Sequence, residues 1–184
     1  MAKGNLYQVN VTARDAPNNG VKFSMQSSLL SNDRLKFYKN SNNMKADDFY
    51  LLDFCLDDKT DAKDLQFVSD LNEVLWTKTT ADPKECLSSR PGTSYNEFRA
   101  IAVPTPTNLL VVNDDSHTQL FTFALNFVRG GADDTDPANF ITYDPIGDNK
   151  NGGITFQSSA TALTLLVLAI TATAVSVAAI NGGW

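Results

Sequence analysis

A histidine, a serine and two carboxylates stand side by side in this chain: Asp114, Asp115, Ser116 and His117, the last being its single histidine. These are the residue types of a hydrolytic triad, in which an imidazole takes the serine proton and a carboxylate orients the imidazole. The spacing argues against that chemistry. A triad gathers its members from separate elements and adds an oxyanion hole, which four neighbours in one tight turn do not supply. Cys55 or Cys86 with His117 would form a nucleophilic pair, but neither thiol sits in a local motif of that class. The expectation is a solvated turn in a protein that is not an enzyme.

Oxygen-ligand chemistry has two candidate runs. One is Asp133, Asp134 and Asp136; the other is Asp144 and Asp148 with Asn149 and Asn151. Calcium needs several oxygens in a shaped loop, and neither run has the Gly and closing Glu of the calcium hand. No Cys and His pairing suits zinc. Gly130-Gly131 and Gly152-Gly153 lack the Lys, Ser or Thr of a phosphate-cradling loop. No metal, other cofactor or small-molecule substrate is expected.

The elements that would carry these residues read mainly as strands. Tyr7, Val9 and Val11 alternate with Gln8, Asn10 and Thr12, and after Asp15-Ala16-Pro17-Asn18-Asn19-Gly20 the alternation resumes at Val21, Phe23 and Met25, which predicts a hairpin turning at Asn-Gly. Residues 34–38 form a short run, and 49–56 are nearly continuous hydrophobe, the pattern of a central strand. Leu65, Val68 and Leu71 suggest a short helix within 57–70. Residues 79–96 read as a long loop, functional or wrapping the core. Further strands are predicted over 97–103, with Pro104 and Pro106 as breakers, over 109–112 and over 119–128. In the last of these Phe121, Phe123, Leu125 and Phe127 share one face, opposite Thr122, Ala124 and Asn126. Residues 140–143 follow, and Asp144-Pro145-Ile146-Gly147 reads as a turn. Seven or eight strands at this spacing predict an antiparallel β-sandwich, jelly-roll or Ig-like, over residues 1–150.

Composition narrows the function. The 184 residues carry 15 Lys plus Arg against 21 Asp plus Glu, a formal net charge of -6. That balance gives no electrostatic footprint for nucleic acid. No secretory signal opens the chain, so both cysteines are expected to be reduced, Cys55 packing as a small hydrophobe, and the domain is expected to face the cytoplasm.

The C-terminal segment departs from all of this. Residues 151–184 hold no charged side chain, and 160–180 hold 16 apolar residues among 21. After a Gly/Ser linker over 151–159, a helix over this stretch would reach roughly 30 Å, the thickness of bilayer hydrocarbon. Leu163 and Leu166 are candidate lipid or oligomer contacts, and Trp184 could anchor at an interface. In a helix Ala162, Ala169, Ala172, Ser176 and Ala179 would line one small-residue seam of the kind that packs helix on helix. A strand reading competes: Thr171, Thr173, Val175 and Val177 are β-branched and alternate with Ala172, Ala174, Ser176 and Ala178. The expectation is therefore a structural or interaction protein, a homo-oligomer or a membrane-associated domain built through this segment. The alternative is a membrane-inserting effector or pore-former that shelters the segment before insertion.

Overall fold

A computed structural model describes residues 2–149 except 33, 83, 84 and 88. The linker over 151–159 and the hydrophobic segment over 160–184 lie outside the described residues. Among those described, the protein is mainly β, with two mixed sheets and two three-residue 3-10 turns, and no helix is long and apolar enough to cross a membrane.

The first sheet is built from β1 (Gly4–Ala16), β2 (Gly20–Gln26), β5 (Phe49–Asp58), β8 (Phe98–Thr105) and β9 (Asn108–Asn113), in the order β2-β1-β5-β9-β8. The second contains β3 (Leu30–Ser31), β4 (Arg34–Phe37), β6 (Leu65–Phe67), β7 (Leu75–Thr79), β10 (Gln119–Arg129), β11 (Ile141–Tyr143) and β12 (Ile146–Asn149). Its spine is β10, which pairs with β12 and β11 along one edge and with β7 and β6 along the other.

The predicted hairpin is present, with Ala16 opposite Gly20 and Asn10 opposite Gln26. Its turn differs in detail. The left-handed residue is Asn18 (φ 61°), not Gly20 (φ -77°), because a 3-10 turn over Pro17–Asn19 reverses the chain before the Asn-Gly pair is complete. The sheets are not purely antiparallel either: β1 runs parallel to β5, and β12 parallel to β4. The edge of β1 that a second hairpin would use is already taken by β2. The chain crosses to the other sheet as β3 and β4 before β5 returns beside β1.

Other expectations are corrected. No helix forms within 57–70: Leu65 and Val68 enter the core while Leu71 stays 41% exposed. The Asp58 carboxylate accepts from the Thr60 and Leu65 amides (both 2.9 Å), curling the backbone into a turn that launches β6. Pro104 does not end its strand but lies inside β8, an outermost strand whose register breaks after Ala100 and after Ala102. Ile146 and Gly147, read as turn residues, open β12.

The core joins the two sheets through aromatic rings. Phe54 meets Phe123 edge-on at 6.3 Å between centroids, Phe98 lies 4.9 Å from both Phe121 and Phe123, and Phe37 meets Tyr50 at 5.0 Å. Phe121, Phe123, Leu125 and Phe127 all point inward, as their alternation predicts. Their opposite face is covered as well. Trp76, Leu87 and Phe140 pack over Ala124, Thr122 Oγ1 donates to Asp144 Oδ1 (3.0 Å), and Asn126 Nδ2 donates to the Glu73 carbonyl (2.6 Å). From the long loop expected over 79–96, Leu87 reaches this face.

Candidate functional site

The residues with triad letters lie where β9 gives way to β10, and the turn is held from three sides. Lys39, 4% exposed, donates from Nζ to the carbonyls of Ala46 (3.0 Å) and Asp114 (2.9 Å). Arg99 on β8 pairs with the Asp114 carboxylate at 2.7 Å. Asp115 is buried with φ 44°, a left-handed conformation that Asp tolerates better than most residues, and its amide donates to Asn113 Oδ1 (2.9 Å).

Ser116 and His117 converge on a residue the sequence did not single out, Glu97. Its Oε2 accepts from the Ser116 amide (2.9 Å), the His117 amide (3.2 Å) and the Tyr95 hydroxyl (2.9 Å). Its Oε1 accepts from Ser116 Oγ (2.5 Å) and from His117 Nδ1. Asn149, at the end of β12, donates to the Tyr95 hydroxyl (2.9 Å) and exchanges amide hydrogen bonds with Asn113 (2.8 and 3.2 Å).

This wiring is incompatible with nucleophilic relay. A triad places serine on one imidazole nitrogen and the acid on the other. Here Ser116 Oγ and Glu97 Oε1 both face Nδ1, Ser116 at 3.0 Å, and the serine proton is already directed to the carboxylate. What the arrangement does is tie the start of β8, the β9–β10 turn and the end of β12 to one anion. No local motif could have revealed it, because Glu97 meets its partners only through the pairing of Phe98 with Asn113.

Burial alone would raise the Glu97 pKa, but hydrogen bonds from Ser116, His117 and Tyr95 outweigh it and hold the carboxyl below its ordinary value. Burial, then the Glu97 charge, pushes the Tyr95 hydroxyl well up. A depressed carboxylate contributes stability above its unfolded pKa, about 4.3, and loses it as pH falls through the folded value. Glu97→Gln is therefore expected to cost about 1–3 kcal/mol near neutral pH, through donors left without a full partner. The acid limb of its stability curve should also be flatter. Thermal melts of both forms from neutral pH to about pH 2 measure this, and parallel acid limbs would refute the assignment.

Each of the candidate calcium residues Asp133, Asp134, Asp136, Asp144 and Asp148 accepts a hydrogen bond from the protein itself, two from neighbours in sequence and three from distant elements. Asp133 Oδ1 accepts from Thr135 Oγ1 (2.7 Å), Asp134 Oδ2 from Ser69 Oγ (2.5 Å) and Asp136 Oδ1 from the Ala138 amide (2.9 Å). Asp144 Oδ2 takes the Leu87 amide (2.5 Å), and Asp148 Oδ2 takes the Tyr38 hydroxyl (3.3 Å). Among the described residues no three His, Cys, Asp or Glu side chains gather as a metal set.

Cys55 and Cys86 are not joined in a disulfide. Cys55 does not pack as a core hydrophobe. It sits half-buried on the side of β5 away from the core, where Gln8 Nε2 (3.6 Å) and Asn108 Nδ2 (3.3 Å) approach its sulfur. Cys86 is exposed in a cleft of about 600 Å³ beside the Lys78–Glu85 ion pair (2.5 Å). A hydrogen bond to Asp144, with that residue's charge and some burial, pushes the Cys86 thiol up. A nucleophilic cysteine needs the opposite shift.

Neither a known protein-family model nor a curated protein matches the sequence.

Proposed function

We propose that this chain is a non-enzymatic structural or interaction protein: a β-sandwich, jelly-roll or Ig-like, that self-assembles, or is held at a bilayer, through its C-terminal hydrophobic segment. The carrying observation is the run of 34 residues over 151–184 without a charged side chain. A stretch so apolar must leave water, among copies or in lipid. Aromatic contacts between the two sheets support the sandwich reading. The non-enzymatic reading is supported by the engagement of Ser116, His117 and Glu97 with one another, and by the raised Cys86 thiol. The domain's proposed place is the cytoplasm, on a membrane surface or within a large assembly.

Size-exclusion chromatography with light scattering on the full chain, expressed without detergent, tests this. A large, discrete, lipid-free particle is the expected result for self-assembly, and recovery in the membrane fraction that for an anchored domain. Separate soluble and inserted forms would favour a membrane-inserting effector. A soluble monomer that ignores membranes would overturn the proposal.

A further inference from the structure

A cleft of about 430 Å³ lies where β7 of the second sheet and β8 of the first approach each other. β7 contributes Leu75 and Thr77, and β8 contributes Phe98, Arg99 and Ala100. The Thr77 hydroxyl is already engaged, donating to the Tyr95 carbonyl and accepting from the Tyr95 amide (both 3.1 Å). The charged groups of the cleft are two guanidiniums, Arg90 and Arg99. No Asp or Glu is among the described residues that line it, although acidic residues outnumber basic ones 21 to 15 in the chain. Each guanidinium is fixed by a carboxylate from outside the lining. Arg90 Nη1 meets Glu73 Oε1 (2.6 Å), and the Trp76 indole holds Glu73 in turn through Oε2 (3.0 Å). Arg99 Nη1 meets Asp114 Oδ2 (2.7 Å) and the Asn96 carbonyl (2.9 Å). A guanidinium carries five N–H donors in a planar fork, so one nitrogen can hold the acid while others engage a ligand. Leu71 (41% exposed), Leu75 and Ala100 add apolar surface to the same cleft.

We infer that this cleft binds a small organic carboxylate with an apolar body, its carboxylate on the Arg90 and Arg99 forks and its body along Leu71, Leu75 and Ala100. Small-molecule sites are clefts of roughly 300–1,000 Å³ that combine apolar walls with a few fixed polar groups, and this one has both. A cationic ligand would meet two arginines and no acid on the lining. A neutral apolar ligand would strip water from the guanidiniums and return no acceptor, which costs more than the buried area gains. Glu73 and Asp114 offset part of the arginines' charge, so binding rests on directed hydrogen bonds together with burial. The inference goes beyond self-assembly and involves only residues of the two sheets and their loops.

Isothermal calorimetry on the full-length chain tests this with three probes. Hydrocinnamate is an aromatic carboxylate small enough for the cleft; hydrocinnamyl alcohol keeps the body without the charge, and acetate keeps the charge without the body. Hydrocinnamate is expected to bind with a Kd of about 1 mM or tighter, and both controls at least about tenfold more weakly. Arg90→Gln is expected to weaken hydrocinnamate about tenfold and Leu71→Ser about threefold. The Arg90 side chain is 53% exposed and Leu71 41%, so the urea midpoint of either variant should stay near the parent's. Should Arg90→Gln move that midpoint, Arg90→Lys carries the test with the same expected loss, since it keeps the charge but not the planar fork. The inference is overturned by an absence of binding heat up to about 10 mM hydrocinnamate. Equal binding of the alcohol, or hydrocinnamate affinity unchanged in both the Arg90 and the Leu71 variants, overturns it as well.

Discussion

Replacing Gly147 by Ala is expected to destabilise the domain by about 3 kcal/mol, the upper end of what overpacking a core costs. In an ordinary strand the same change would stabilise by roughly 0.5–1 kcal/mol, because Ala loses less chain entropy than Gly. Here the sign is decided by Phe121, which lies directly across the ladder from Gly147. A Cβ at 147 would fall on the tip of that ring, on Cζ and 2.7 Å from Cε1. The ring has nowhere to go, since it is fully buried with Tyr95 and Phe98 both 4.9 Å away and Phe37 at 6.2 Å. Phe121→Leu shortens the offending side chain, so the double variant should be less destabilised than the two single losses added together. The coupling is expected to exceed 1 kcal/mol in urea unfolding. A Gly147→Ala protein as stable as the parent would show that Phe121 and β12 yield freely, and that the aromatic layer is loosely packed.

Removing residues 154–184 is expected to abolish any oligomer or membrane association while leaving a folded, soluble monomer with a cooperative unfolding transition. Among the described residues, which end at 149, two sheets and an aromatic layer between them are already in place. Among the described residues Leu6 (63% exposed) and Leu71 (41% exposed) are the large hydrophobics left in water, a scatter that is normal on a soluble surface. Light scattering and urea unfolding of the truncated chain check this. If it precipitates or melts without cooperativity, the C-terminal segment belongs to the core and its role in association loses its basis.

What the sequence made legible follows from which signals are local. Alternation at Val9, Val11, Phe121 and Phe123 depends on near neighbours and on burial, so strands and inward faces could be read directly. Pairing partners are not local. Nothing near Gly4 indicates that Phe49 lies beside it in parallel, and nothing near Ile146 points to Arg34. The false helix over 57–70 arose because Leu65, Val68 and Leu71 satisfy a helical spacing, and the Asp58 turn that overrides it depends on side-chain hydrogen bonds. The candidate site was half visible for the same reason. Ser116 and His117 stood out by type, whereas Glu97, which accepts from both, became recognisable only through the register of β8 on β9.

The late position of β12 in the chain bears on how the protein comes to be folded. This strand sits between β10 and β4, with Ile146 beside Arg34 and Thr122, so the second sheet stays split until residues 146–149 arrive. The parallel contact of β1 with β5 likewise closes a long loop before any ladder energy repays its entropy. Chains dominated by such distant pairings search for milliseconds to seconds rather than microseconds. Throughout that search β4 and one edge of β10 stand open as templates for other chains. A newly made molecule is therefore most exposed to mispairing in the interval before residue 146 finds residue 34, and crowding at high expression would lengthen the odds against it.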